Sequence, residues 1–274
     1  MREAAEPRGR VLVVAGSDSG GGAGIQADIK TITVLGGYAA TAITALTAQN
    51  TLGVFGLTAI DPEFVAEQMS VVLTDIGADA VKTGMLHSEE TISRVAAVLA
   101  SRARHLPVIV DPVMVAKGGA ALLQPRARVA LVDRLLPLAA LITPNAPEAE
   151  ALTGVKIETV ADMDRAADQL LAFGASAVLI KGGHLPGESI IDVLRTADGE
   201  ALRFEHPRIV TQSTHGTGCT LASAIATGVA LGLTLRDAVR RAEDYVLEAI
   251  RTAPGLGKGH GPLNHGHLIG ARLN

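Results

Sequence analysis

Short apolar runs rich in Val and Ile alternate along the chain with longer stretches in which apolar residues recur every three or four positions. Residues 10–16, RVLVVAG, form the first run, and a Gly-rich loop leads from it to Ile25, Ile29, Ile32 and Leu35 at helical spacing. That pattern predicts strand, loop, helix. Strict alternation in TAITALTAQ, residues 41–49, predicts a strand. Helices are expected over 62–73, 88–102, 125–136 and 160–173, separated by strand-like ADAVKTG (78–84), PVIVDPV (107–113), ALITPN (140–145) and SAVLIKGG (176–183). A polar hairpin around ADGEALRFEH (197–206) and two closing helices, 217–231 and 235–252, complete the pattern. Strands taking turns with helices predict an α/β fold, a mostly parallel sheet covered on both faces.

No repeat and no low-complexity linker divides the chain, so a single domain over residues 1–274 is expected, with residues 1–9 as a flexible N-terminus. Residues 31–60 carry no charge, but Gly36, Gly37, Gln49, Asn50, Gly53 and Gly56 interrupt them, which argues for strand rather than a membrane span. A net charge of −4 without Lys/Arg clusters disfavours a nucleic-acid groove or a membrane surface, and 2% aromatic residues leave little for a base-stacking platform. The expected partner is a small molecule. One cysteine makes no internal disulfide, and the polar start MREAAEPRGR shows no secretory pattern, so a cytoplasmic protein is expected.

The chemically loaded sequences all follow strand-like runs, and in a doubly wound sheet such positions converge on one edge. AGSDSGGGAGIQAD (15–28) joins strand to helix and offers backbone amides to a polar ligand, although a tight structural turn reads equally well. It lacks the P-loop pattern and fits a dinucleotide fingerprint only loosely, which leaves little for a flavin or nicotinamide reading. In HGTGCT, Gly216, Thr217, Gly218 and Cys219 open a helix whose free amides suit a developing negative charge. Cys219 there is either a thiol activated by the helix terminus or a small neutral neighbour. Asn145 and Glu148, three apart, are a helix cap or oxygen donors to hydrated Mg²⁺. Asp111, at a strand end before Pro112, is a turn-former or a metal and phosphate-site acid. Lys82 and Lys181 each precede glycine after an apolar strand and either reach a phosphate or snorkel to the surface. The Gln49 amide, donor and acceptor at once, suits a ring with an amino group beside a ring nitrogen. His260, His265 and His267 lie in a glycine-spaced tail expected to be mobile and a poor metal site.

Taken in order, AGSD…GGAGIQADIKT, ITALTAQNT, VKTGML, DPVMVAKGG, LITPNAPEA, VLIKGGHL, THGTGCTLASAIA and GLGKGHGPLNH span nearly the whole chain. This set resembles the hydroxymethylpyrimidine/phosphomethylpyrimidine kinases of thiamine biosynthesis, in the ribokinase-like superfamily. Two small departures are Ser19-Gly20, where the family often has Pro-Ser, and Ser213, where Asn is common. The resemblance implies a three-layer αβα fold, a homodimer, ATP with Mg²⁺, and two successive phosphoryl transfers to an aminopyrimidine. It implies that Gln49 binds the pyrimidine, with Gly16, Ala23, Asp28, Met85 and Val113 lining the pocket. By the same resemblance Asn145 and Glu148 hold Mg²⁺ through water, Asp111, Lys181 and Thr217 face the nucleotide phosphates, and Cys219 takes the catalytic-base position over the anion hole of Gly216, Thr217 and Gly218. Relatives that phosphorylate sugars carry Asp where Cys219 stands. Pyridoxal kinase activity of the same superfamily, or a catalytically silent pyrimidine-binding protein, are the competing expectations.

Overall fold

Val11, Leu12, Val13 and Val14 are all fully buried, as a strand covered on both faces requires. This strand, β1 (Arg10–Asp18), sits near the middle of a nine-stranded sheet in the computed structural model, which describes residues 9–270. The order is β3-β2-β1-β4-β5-β6-β7-β8-β9, where β2 spans Tyr38–Asn50, β3 Gly53–Ala59, β4 Ala80–Thr83, β5 Val108–Val110, β6 Leu141–Ile142, β7 Ala177–Ile180, β8 Ser189–Thr196 and β9 Ala201–Pro207. The six strands from β2 to β7 run parallel, and β3, β8 and β9 add antiparallel edges. The chain winds outward in one direction from β1 to β2 and in the other from β4 onward, so β1 and β4 flank the topological switch point where α/β sheets bind ligands.

Alternate residues of β1 face opposite cores. Leu12 and Val14 join Val65 and Met69 of α2 (Pro62–Asp75), Ile92 and Leu99 of α3 (Glu89–Arg102) and Met163 of α6 (Val160–Ala172). Val11 and Val13 join Ile25 and Ile32 of α1 (Gly24–Val34), Ile225 of α7 (Thr217–Ala230) and Val239 of α8 (Leu235–Arg251). The result is the expected three-layer αβα arrangement. Small residues in α7 serve close packing: a β-carbon at Gly228 would lie 2.9 Å from that of Ala238 in α8.

Three expectations need adjustment. The helix expected over 125–136 is one α-turn, α4 (Ala127–Ala130), then a widened π-turn over Leu131–Leu135 and a 3₁₀ turn over Leu136–Leu138. Pro137 explains this, because it has no N–H to donate and its ring crowds the carbonyl four residues back. Strand β3 was not anticipated from its glycine-broken sequence. A tight turn in which the Asn50 side chain accepts from the Leu52 amide at 2.9 Å folds it back on β2. Of the expected flexible N-terminus, residues 1–8 lie outside the described residues, and Gly9 is fixed by bonds to Ala230 and Tyr38.

Candidate active site

The Gly-rich loop after β1 is shaped by its own carboxylate. Asp18 Oδ1 accepts from Gly20 N at 2.8 Å, and Oδ2 accepts from Gly22 N at 3.1 Å and Ala23 N at 2.9 Å. An Asp that collects the amides following it is a turn device. Those amides are therefore not free for an anion, and the loop serves as a wall instead. Gly24, at φ 56°, passes so near the end of β1 that a β-carbon there would lie 2.4 Å from the Gly16 carbonyl oxygen. Imidazole Nε2 of His215, from the turn before α7, reaches the same Asp18 Oδ2 at 2.8 Å, and Gln49 Nε2 lies 3.2 Å from it.

A cavity of about 760 Å³ opens above the carboxyl ends of the strands. At the switch point it is lined by Gly16, Ala23, Gln49, Met85 and Val113. The Met85 methyl rests on Gly16, where a β-carbon would come within 2.3 Å of it, so glycine at position 16 makes room for the thioether that floors the pocket. Met85 is itself tethered by its carbonyl, which accepts from Thr44 Oγ1 at 2.6 Å. Asp28 departs from the expectation for this pocket. It is fully buried beneath the lining, where Oδ1 accepts from Lys82 Nζ at 2.9 Å and from Ser223 Oγ at 2.7 Å. Lys82 is likewise fully buried, paired with Asp28 and outside the cavity lining, so it does not snorkel to solvent. Burial pulls its ammonium toward neutrality, but Asp28, by charge and hydrogen bond, and the other negative neighbours including Asp111 together outweigh this and raise its pKa.

Farther along the sheet the same cavity is lined by Asp111 after β5, Asn145 and Glu148 after β6, Lys181 after β7, and the start of α7. Lys181 Nζ lies 3.3 Å from Asp111 Oδ1 and 4.0 Å from Glu148 Oε2. Burial disfavours the Lys181 charge, but Asp111 and Glu148 overcome it, so its pKa is raised. Asn145 caps α5 (Ala146–Thr153): its Oδ1 accepts from Glu148 N at 2.9 Å while Glu148 Oε2 accepts from Asn145 N at 2.8 Å. The capping alternative therefore holds, and the carboxyl it fixes still faces the cavity. Burial pushes Glu148 up to about 7, with Lys181 opposing and Asp111 adding to the rise. Asp111 Oδ2 is buried without a hydrogen-bond partner. Two carboxyls, one of them with an orphaned oxygen, share one ammonium, a hard, electron-rich oxygen set that fits a divalent cation bringing its own water and phosphate ligands.

The α7 terminus completes the cavity. Gly216 caps it at φ 84° with no side-chain capping bond, so first-turn amides lack intrahelical acceptors. A β-carbon on Gly218 would lie 3.1 Å from Lys181 Nζ and 3.6 Å from Asp111 Oδ2, which places the helix start directly over the charged cluster. Thr217 also lines the cavity, with its hydroxyl donating to Thr214 O at 2.8 Å. Cys219 is half-buried in the wall. Burial pushes its thiol up to about 12; Lys82 pulls the other way, and Asp28 and Asp111 add to the rise. Of the two alternatives left open for Cys219, the raised thiol favours the small neutral neighbour.

The glycine-spaced tail is held in place, against expectation. His260 N donates to Thr51 O at 2.8 Å and His215 N to Gly261 O at 3.1 Å, pinning the tail across the β2–β3 turn and the α7 turn. His260 joins the cavity lining, whereas His265 is buried, its Nε2 3.0 Å from Thr220 Oγ1. Asp18 and His215 were missed as site residues. The signal available was an aspartate two residues before a glycine run and a histidine directly preceding the anion-hole glycine.

The model of the phosphomethylpyrimidine kinase family matches residues 18–264, which takes in every lining element described above apart from the Gly16 end of β1. The chain belongs to this family. It is 57% identical over 96% of its length to the thiamine biosynthesis bifunctional protein ThiED of Geobacter sulfurreducens, and spans about half, 54%, of that longer relative. It is 47% identical to the hydroxymethylpyrimidine/phosphomethylpyrimidine kinase of Bacillus subtilis, with 93% of this chain and 94% of the relative aligned. Among solved structures, the ADP complex of Bacillus subtilis pyridoxal kinase superposes with a TM-score of 0.88 at 38% identity, covering 97% of this chain and all of that one. As a member of the phosphomethylpyrimidine kinase family the protein is a phosphotransferase. Among the described residues no helix is long and apolar enough to cross a membrane.

Proposed function

We propose that this protein, as one kinase domain, transfers the γ-phosphoryl group of ATP first to the hydroxymethyl oxygen of 4-amino-5-hydroxymethyl-2-methylpyrimidine and then to the resulting monophosphate. The observation that carries this reading is one continuous cavity that joins the Gln49, Met85 and Val113 pocket to the Lys181 cluster and the bare α7 terminus. The pocket presents an amide for the aminopyrimidine edge, and the Met85 thioether and Val113 supply apolar contact to the ring in place of aromatic stacking. Lys181 offers a point charge to the phosphates, and the amides of Gly218 and Cys219 face charge that builds on the transferred group.

Asp111, Glu148 and, through the cap it forms, Asn145 would hold Mg²⁺ on its water ligands. The ion when bound supplies charge neutralisation on the phosphate oxygens of ATP. Phosphoryl transfer depends mainly on positioning and charge stabilisation, so a neutral Cys219 suffices beside the acceptor. Because the second acceptor is itself a phosphate, a neutral group there also avoids like-charge repulsion. Exposed Leu46, Leu52 and Phe55 on the β2–β3 hairpin support a homodimer. The cytoplasmic reading rests on the lone cysteine, which makes no internal disulfide.

Likeness to a pyridoxal kinase favours one second reading, phosphorylation of pyridoxal. Measuring kcat/KM for both acceptors with Mg-ATP decides between them. The primary reading requires the pyrimidine to win by at least tenfold, and a preference for pyridoxal transfers the protein to the second.

A further inference from the structure

The two ends of the Gln49 side-chain amide have different neighbours. One end lies 3.2 Å from His215 Nε2 and the other 3.3 Å from Thr47 Oγ1. The backbone around them is fixed, since Ser19 Oγ donates to Gln49 O and accepts from Gln49 N, each at 2.9 Å. As placed, the nitrogen end faces His215. Oxygen and nitrogen of a primary amide are isosteric, however, so the sense of the amide follows from counting protons on its neighbours.

That count starts at Asp18. Its carboxyl is 3% exposed and surrounded by backbone donors. Burial alone would raise its pKa, but the His215 bond and the Ala23 and Gly20 amides outweigh burial and hold it below the usual range. An ionised carboxylate only accepts. His215 Nε2, 2.8 Å from Asp18 Oδ2, therefore carries a proton and donates it, in the neutral and the charged imidazole alike. A nitrogen so occupied has no lone pair for an amide N–H.

The Thr47 side gives the same answer independently. The single Thr47 hydroxyl proton goes to the nearer acceptor, the Ser17 carbonyl oxygen at 3.0 Å, rather than to the Gln49 amide at 3.3 Å. Toward Gln49, Thr47 offers a lone pair, and its neighbour must be N–H.

We propose that Asp18, acting through His215, fixes the Gln49 amide with its oxygen toward His215 and its nitrogen toward Thr47, so that the pocket selects a ring edge with an amino donor on the His215 side and a ring-nitrogen acceptor on the Thr47 side. The amide nitrogen then donates one N–H to Thr47 and keeps one for the ligand, while the amide oxygen, beside an Nε2–H already given to Asp18, keeps its lone pairs for the ligand's amino group. Asp18 and His215 are positioning residues in this account, since they act on the ligand through Gln49. The proposal rests on the aminopyrimidine reading of the pocket, and it adds the orientation of the ring and the reason the amino form is chosen over its oxo counterpart. In the 4-oxo analogue the ring nitrogen carries the proton and the exocyclic oxygen accepts, which reverses the pattern and leaves two mismatched contacts.

Calorimetric titration with 4-amino-5-hydroxymethyl-2-methylpyrimidine and its 4-oxo analogue tests this. The unsubstituted protein should prefer the amino form by about a hundredfold, the scale of mismatched buried hydrogen bonds. His215→Leu leaves only the Thr47 contact to orient the amide, so the ratio should fall below about tenfold, and His215→Gln, which can still donate to Asp18, should restore part of it. A purely structural role for His215 would weaken both ligands equally and leave the ratio unchanged, which overturns the proposal. Nitrogen-15 NMR of histidine-labelled unsubstituted protein reads the tautomer without any variant. A His215 signal with a protonated Nε2 supports the account, and an Nδ1–H tautomer overturns it. Should the protein bind neither pyrimidine, the substrate reading and the ligand half of the proposal fail together, while the tautomer still decides the orientation of the amide.

Discussion

Gly216 and Gly22 are in such close contact that a β-carbon on Gly216 would lie 1.8 Å from the Gly22 carbonyl oxygen. The turn that opens α7 is thus built directly against the loop that walls the Gln49 pocket, although the two are far apart in sequence. His215 strengthens the join through its bond to Asp18.

Gly216→Ala should therefore damage both halves of the cavity. The residue sits at φ 84°, where a side chain costs about 1–3 kcal/mol, and the clash is with backbone that cannot swing away. We expect kcat to drop at least about a hundredfold, as for loss of an oxyanion donor, with a weaker Kd for the pyrimidine. Steady-state kinetics and calorimetry on the folded variant check this, and unchanged pyrimidine binding would separate the two loops.

Cys219 predicts two outcomes. With a thiol raised to about 12, alkylation by iodoacetamide at pH 8 should be far slower than for a free cysteine. Cys219→Asp should slow the second transfer more than the first, because a carboxylate about 4 Å from the substrate phosphate adds about 4 kcal/mol of repulsion per charge pair at an effective dielectric of about 20. Equal losses in both steps, measured by rapid quench, would refute the role given to its neutrality.

Lys82 and Asp28 form a fully buried ion pair under the site. Lys82→Met strands the Asp28 carboxylate and should cost about 3–5 kcal/mol, whereas Lys82→Met combined with Asp28→Leu should recover much of the loss. Chemical denaturation of the three proteins measures both. A double variant no more stable than the single would mean that packing, not charge, sets the cost.

His265 gives a pH prediction. Burial lowers its pKa to about 4 from an ordinary 6.5, so the unfolded chain binds a proton between those values that the folded protein refuses. Its contribution is present above pH 6.5 and lost as pH falls toward 4, on the order of 3 kcal/mol in all. The melting temperature should fall between pH 7 and pH 5, and His265→Gln should flatten that fall.

The sequence made the layered sheet and most of the cavity lining legible, because both follow from local patterns. A Val-rich run buried on two faces gives β1, Gln49 closes β2, and Met85, Asp111 and Lys181 each follow a strand whose end must face the cavity. Contacts between distant residues were not legible. Asp18 and His215 are 197 residues apart, and nothing local announces their bond. VKTG left Lys82 to reach a phosphate or to snorkel to the surface. Its register opposite Val13, with Asp28 on α1, buries it as an ion pair instead. A helix N-terminus left an acidic thiol and a neutral one both open for Cys219, and the carboxylates that help raise it, Asp28 on α1 and Asp111 after β5, are distant in sequence.

The central claim is tested most directly by mass spectrometry of the products formed from Mg-ATP and 4-amino-5-hydroxymethyl-2-methylpyrimidine, with Gln49→Ala as control. The account predicts a monophosphate that accumulates first and a diphosphate that follows, both strongly reduced in the control. A product that stops at the monophosphate, or phosphorylation of pyridoxal alone, would contradict it.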